Sequence, residues 1–252
     1  MARHIEELID RQISRWNSMR ALLERDAEHE AGGERPRSAF EPPSHPVICI
    51  SRDIGAGARE VALGLCRRLN YDLYGMELIN QIARDLKVQQ QLIDSLDENA
   101  RSDLRLILES YLRGREIETS EYLRALIRIV QTMALRGGVV LLGRGAAYIL
   151  RERAGLSVMI TAPLEKRIER VGNYLGVEPE KARAHTLAED RKRSQYSYQY
   201  FKVDSHDPFN YDLMINTSRV EPPQAIEVIL CALRERGYPP EKITLPTPGN
   251  VS

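Results

Sequence analysis

The sequence predicts an α/β domain, a parallel sheet with helices on both faces, and three observations carry that reading. Short apolar runs rich in β-branched residues alternate with long helical patterns. A Gly-rich turn joins the first of those runs to a helix. The chain, 252 residues long, can hold one full-sized α/β domain with an appendage.

The first strand is read in PVICIS, Pro46 to Ser51, and the helix after the turn in Glu60 to Leu69. Further strands are expected at Tyr71–Tyr74, Val139–Leu142 (after the Gly137-Gly138 break), Leu156–Thr161 and Leu213–Asn216. Strands that alternate with helices imply a parallel sheet buried on both faces. From Met76 to Arg136 the pattern is helical throughout, as Leu104, Leu108, Tyr111 and Leu112 and then Tyr122, Leu123, Leu126, Ile127 and Val130 show, so a helical insertion beside the sheet is expected. A second helical stretch, Pro179–Phe201, is strongly charged and then aromatic, and a last helix covers Pro223–Arg236.

Ahead of the main domain, residues 1–25 place Ile5, Leu8, Ile9, Ile13, Trp16, Met19, Leu22 and Leu23 on one stripe of an amphipathic helix. Residues 26–45, rich in Gly, Pro, Glu and Arg and without period, read as a linker. The helix either docks on the main domain, residues 46–240, or pairs with a second copy in a homodimer. Residues 241–252 are expected as a flexible tail.

Lys and Arg together number 36, as do Asp and Glu, so no global field draws the chain onto nucleic acid or anionic lipid. No run approaches the roughly 18 to 20 apolar residues that span a bilayer, and a charged segment follows Met1. The expectation is a cytoplasmic protein without membrane or nucleic-acid partner. Cys49, Cys66 and Cys231, odd in number and widely spaced among apolar residues, read as reduced core thiols.

Three clusters can carry chemistry. The turn Ser51-Arg52-Asp53-Ile54-Gly55-Ala56-Gly57-Ala58-Arg59-Glu60 lies between a strand and a helix, where glycines let backbone N–H groups wrap an anion at a helix N-terminus. An intact phosphate loop reads G-x-x-x-x-G-K-[ST], and here Ala58 stands in the Lys position with Arg59 and Glu60 after it. The alternative is a tight turn in an unrelated α/β fold. The second cluster is Gly143-Arg144-Gly145, at a strand end where ligands bind in open parallel sheets; there a Gly-flanked Arg can turn its fork to a phosphate or lie idle in a surface turn. The third is Glu189-Asp190-Arg191-Lys192-Arg193, a charge run that alone would be a solvated face. The aromatic run Tyr196 to Phe201 after it reads as packing rather than base stacking.

In this order, the three clusters resemble the cytidylate kinase-like branch of the nucleoside monophosphate kinases, over roughly Val47 to Arg236. S-R-D-I-G-A-G-A-R-E is similar to that branch's S-R-E-x-G-[SA]-G-[GA]-R-E, which also lacks the loop Lys. Gly143-Arg144 resembles the G-R of the kinases' D-G-R-D, with Leu142 and Gly145 in place of both acids. Asp190 to Arg193 resembles the D-R-x-R of their lid, and Asp207 to Thr217 the branch's D-P-x-N-Y-D-L-x-I-N-T. Tyr74-Gly75 departs from the branch's Tyr-Asp and removes a carboxylate that could orient the acceptor.

The resemblance implies a P-loop NTPase-type five-stranded parallel sheet flanked by helices, with a helical insertion and a lid. It implies ATP and magnesium as cofactors and transfer of the γ-phosphoryl to a nucleoside monophosphate, CMP or dCMP. Nucleotide-binding residues would be Ser51, Arg52, Gly55, Ala56, Gly57, Ala58, Arg59 and Glu60, with Gly143 and Arg144 on the acceptor. Arg59, Arg191 and Arg193 would be catalytic, and Ser51 or Glu60 could assist the magnesium. Two alternatives stay open: a nucleotide-binding pseudokinase or sensor without turnover, and a kinase for a different small acceptor.

Overall fold

The computed structural model describes residues 45–96, 98–113 and 120–244, so the expectations for residues 1–44 and for most of the tail lie outside the described residues. Five parallel strands form one sheet in the order β2-β3-β1-β4-β5. They are β1 Ile48–Arg52, β2 Asp72–Gly75, β3 Val139–Leu142, β4 Leu156–Thr161 and β5 Leu213–Asn216. Strand β1 is central, with Ile50 opposite Leu142 on one side and Val158 on the other, so its C-terminal end opens where the strand order changes direction.

Side chains alternate between two layers, as the period of a strand dictates. Ile48, Ile50, Val140, Leu142, Val158 and Ile160 point to one face, packing on α1 (Ala58–Leu69) and α9 (Pro222–Glu235). Cys49, Val139 and Leu141 point to the other, under the helical insertion. That insertion is not one continuous pattern but α2 Met76–Arg84, α3 Leu86–Asp94, α4 Glu98–Arg113 and α5 Glu121–Arg136. Asp85 makes the first break, its carboxylate accepting from the Lys87 and Val88 N–H groups as the cap of α3. Helix α5 presents Leu123, Leu126, Ile127, Val130 and Met133 to the sheet and stops at Gly137, whose φ of 70° suits a residue without Cβ.

Local chemistry moves several expected boundaries. Helix α1 begins at Ala58 because Gly57, at φ 79°, caps it and its carbonyl accepts from the Glu60 and Val61 N–H groups. Strand β2 begins at Asp72 because the Tyr71 N–H still donates to the Cys66 carbonyl of that helix. Past β3 come α6 Ala146–Leu150, then α7 Leu164–Leu175 and the long α8 Pro179–Phe201. The chain past residue 240 continues as α10, Pro240–Ile243, with Ile243 buried, so the expected tail starts as ordered helix. Cys49 is a buried thiol as expected; Cys231 is exposed on α9 and is not a core thiol. Among the described residues no helix is long and apolar enough to cross a membrane.

Candidate functional site

The turn after β1 is shaped by its glycines and by α7. Gly55 and Gly57 have φ of 73° and 79°, and a Cβ on Gly55 would lie 2.6 Å from the Arg167 carbonyl oxygen. The turn's carbonyls are held from outside: Thr217 Oγ1 donates to the Ala56 oxygen at 2.8 Å, and Arg170 reaches the Gly55 oxygen while gripping Thr217 at 2.8 and 2.9 Å. Fixing carbonyls on that side commits the turn to the conformation from which α1 starts, with its N–H groups and partial positive charge at the helix end. A cavity lined by Gly55, Gly57, Glu60, Arg170 and the β5–α9 residues Glu221 and Pro222 lies against it.

A second cleft, about 320 Å³, opens at the C-terminal ends of β1, β3 and β4. Arg52, Arg144, Lys192 and Arg193 all line it. Gly143, Arg144 and Gly145 are three consecutive left-handed residues, with φ of 87°, 55° and 70°. A Cβ at Gly143 would collide with the Arg52 guanidinium and one at Gly145 with the Phe201 ring, so glycine at both lets Arg52 and α8 close on the strand end. Arg144 itself bears the strain of positive φ, as residues at functional sites do. Its guanidinium lies 5.0 Å over the Tyr196 ring.

Among the described residues, Lys192 is paired with an acid of this cleft, while Arg52, Arg144 and Arg193 form no ion pair. Burial, then Arg193, then Arg144 hold Arg52 down at about 10, and burial also lowers Arg193 against the pull of Asp190, Glu189 and Asp53. Arg144 Nε and Arg193 Nη1 are buried without a hydrogen-bond partner. The nearby carboxylates are engaged elsewhere. Glu189 holds Lys192 at 2.6 Å. Asp190 pairs with Arg167 and accepts the Ile54 N–H at 3.1 Å. Asp53 accepts Thr161 Oγ1 at 2.6 Å and meets His206 Nε2 at 2.9 Å. Guanidinium nitrogens buried without a partner are costly unless an acceptor completes them.

The structure gathers Ser51, Arg52, Gly143, Arg144 and Arg193 at this cleft. Gly55, Gly57 and Glu60 line the other cavity, while Ala56 and Ala58 are buried beneath the turn. Arg59 and Arg191 are exposed and line neither; one helical step puts Lys192, not Arg191, beside Arg193. Of four further functional candidates, only Asp53 lies within a motif, and it has no role of its own there. Asp53 and His206 meet across 153 positions. Arg167 and Arg170 face the turn from consecutive rungs of α7, a spacing the sequence does show but that surface pairs share. The aromatic run packs as expected, with Tyr196, Tyr200 and Phe201 against one another and against Tyr122 and Tyr148.

A five-stranded parallel sheet, a glycine turn opening a helix beside the central strand and a cationic cleft at the strand ends define a P-loop-type α/β protein. The profile of the Cytidylate kinase-like family matches residues 47–219, and the chain belongs to that family. Cytidylate kinase of Halobacterium salinarum is 27% identical over 80% of this chain and 95% of its own length. That of Natronomonas pharaonis is 26% identical over 77% and 92%. The crystal structure of an uncharacterized protein from Eubacterium ventriosum superposes with TM-score 0.54 at 21% identity, covering 75% of this chain and 99% of that one, a likeness of fold.

Proposed function

We propose that the protein transfers the γ-phosphoryl of ATP to a nucleoside monophosphate, CMP or dCMP first among them. One observation carries the reading: Arg52, Arg144 and Arg193 converge at the C-terminal strand ends with their charge unspent, beside a glycine turn that opens a helix. Phosphoryl transfer needs positioning and neutralisation of charge on the transferring oxygens, with no nucleophilic side chain. The turn and the cavity of Gly55, Gly57 and Arg170 suit the donor, and Arg144, Arg52 and Arg193 suit the phosphates that meet in the cleft.

In this reading the nucleotide carries magnesium, and Glu60, which lines the donor cavity, is the carboxylate that would face it. Ser51 lines the other cleft, which leaves Glu60 to orient the ion's water shell. Magnesium supplies charge neutralisation between the phosphates when bound. Small nucleotides are the partners this reading requires, and it carries a cytoplasmic location; pairing of two copies through the stripe Ile5 to Leu23 is the assembly it carries.

Two observations favour a second reading, nucleotide binding without turnover. Ala58 leaves the Lys position empty of charge, and Asp190 occupies the Ile54 N–H with its own carboxylate. The deciding experiment is ADP release from ATP and magnesium with CMP, dCMP, UMP, AMP and GMP in turn, beside calorimetric ATP binding. Turnover highest with CMP or dCMP supports the proposal. Binding with no turnover replaces it by the second reading. Turnover confined to another small acceptor would follow from Gly75, where a Cβ meets open space and the branch's acid is missing.

A further inference from the structure

His206 belongs to no motif of the resemblance, yet it stands in the cleft. Its side chain is 50% exposed there, and the Asp53 carboxylate behind it is 7% exposed. Asp53 sits at the start of the glycine turn, its N–H tied to the Ile160 carbonyl of β4 at 3.1 Å. A carboxylate so placed would repel any phosphate entering the cleft. Both its oxygens are covered, Oδ2 by Thr161 and Oδ1 by His206. The imidazole is held on its other side too, with Nδ1 3.4 Å from Ser205 Oγ and its backbone N–H donating to Asp204 Oδ1 at 2.9 Å. Covering Asp53 therefore puts an imidazole, in place of a bare carboxylate, on that wall of the cleft.

We propose that His206, oriented by Asp53, is a ligand of the phosphoryl group in the cleft and supplies on the turn side the proton-bearing cation that Ala58 does not. With Nε2 spent on Asp53, it meets the phosphoryl oxygen through Nδ1–H, whose contact with Ser205 Oγ is long at 3.4 Å and open to exchange, and no covalent bond to the imidazole forms. The groups facing it are Asp53 from the turn, Asp190 from α8 and its own neighbour Asp204, with Arg193 and Lys192 of α8 lining the same cleft. The hydrogen bond to Asp53 raises His206 above its ordinary 6.5, against burial. Asp53 thus keeps the imidazole cationic to higher pH than a free imidazole, and phosphate affinity should fall as pH rises through its titration.

The inference rests on the phosphotransfer reading, so its test has a readout apart from turnover. Histidine-labelled full chain is titrated by NMR with and without ATP, His206 being assigned by comparison with His206→Gln. Turnover on the acceptor panel is measured for wild type, His206→Gln and His206→Lys, each checked for a cooperative melting transition above the assay temperature. Gln keeps an N–H for Asp53 and removes the charge, so a mere tether would survive it.

ATP should raise the His206 midpoint by about one pH unit. His206→Gln should lose about 100-fold in kcat, and Lys should restore most of it without the decline at high pH. If wild type turns over but ATP leaves the His206 midpoint in place and Gln keeps full kcat, the inference is wrong and the phosphotransfer reading stands. A shifted midpoint without turnover on any acceptor keeps His206 as a phosphate ligand and removes the turnover reading. Failure of wild type to bind ATP at all overturns both.

Discussion

Arg144 shows how a single residue can be placed for function at a cost to the fold. Its φ of 55° is strained for a side chain with Cβ, and its Nε is buried without a partner. Such an investment makes sense where an anion completes the site. Arg144→Ala is expected to lower kcat/KM about 100-fold, mainly through the acceptor KM, with little loss of stability; steady-state kinetics beside a melting curve checks both. Arg144→Lys should recover little, because an ammonium cannot present a planar fork or stack as well on Tyr196.

The Asp53–His206 pair gives a second expectation at this scale. Burial alone would raise the Asp53 carboxyl, and hydrogen bonds from His206 and Thr161 outweigh it, so Asp53 titrates below its ordinary 3.8. A depressed carboxyl stabilises the fold above 3.8 and loses that contribution as pH falls through its lower folded value. A raised imidazole stabilises fully below 6.5 and loses its contribution as pH rises through the higher folded value. Thermal melts should therefore fall off on both sides of this window, and His206→Gln should flatten the alkaline side.

At the scale of elements, Asp190 is the fastening between α8, α7 and the glycine turn. It pairs with Arg167 and accepts the Ile54 N–H, and Arg167 also donates to the Ala162 and Ile54 carbonyls. With side-chain exposures of 11% and 18%, the ions are well shielded from solvent. Asp190→Ala should cost about 3 kcal/mol by urea unfolding, because Arg167 is left charged and uncompensated. Adding Arg167→Ala should lose less than the sum of the single changes, the signature of a coupled pair. Turnover should fall more than stability, since the same helix carries Arg193 and Lys192 into the cleft.

For the whole molecule, zero net charge means that nucleotide affinity must come from the local cleft and turn rather than from a general field. Binding to the folded state alone also adds stability by mass action. At about 100 times its dissociation constant, ATP with magnesium should add about 2.7 kcal/mol and raise Tm by about 5 to 10 °C. A scanning-calorimetry series in ATP checks it, and a Tm indifferent to ATP would contradict the donor site.

Much of this was legible before any coordinates. Strand Val139–Leu142 is an uninterrupted apolar run, Leu156–Thr161 and Leu213–Asn216 are broken only by Ser157 and Asn216, and helix Pro179–Phe201 has Pro at its start; local pattern suffices for these. The glycine turn and Gly143-Arg144 were legible as candidates because left-handed, closely approached backbone favours residues without Cβ, and that requirement is written in the residue type. The sequence by itself thus determined a parallel α/β fold and the two ends of the site. What only the tertiary structure decided are the pairings across long separations. They place Asp53 on His206, Asp190 on Ile54 and Arg167, and Phe201 against Gly145, and they select Lys192 over Arg191 for the cleft. These depend on how α8 and the segment after it lie across the strand ends, and the charge of a residue carries no record of which distant partner packing will bring to it.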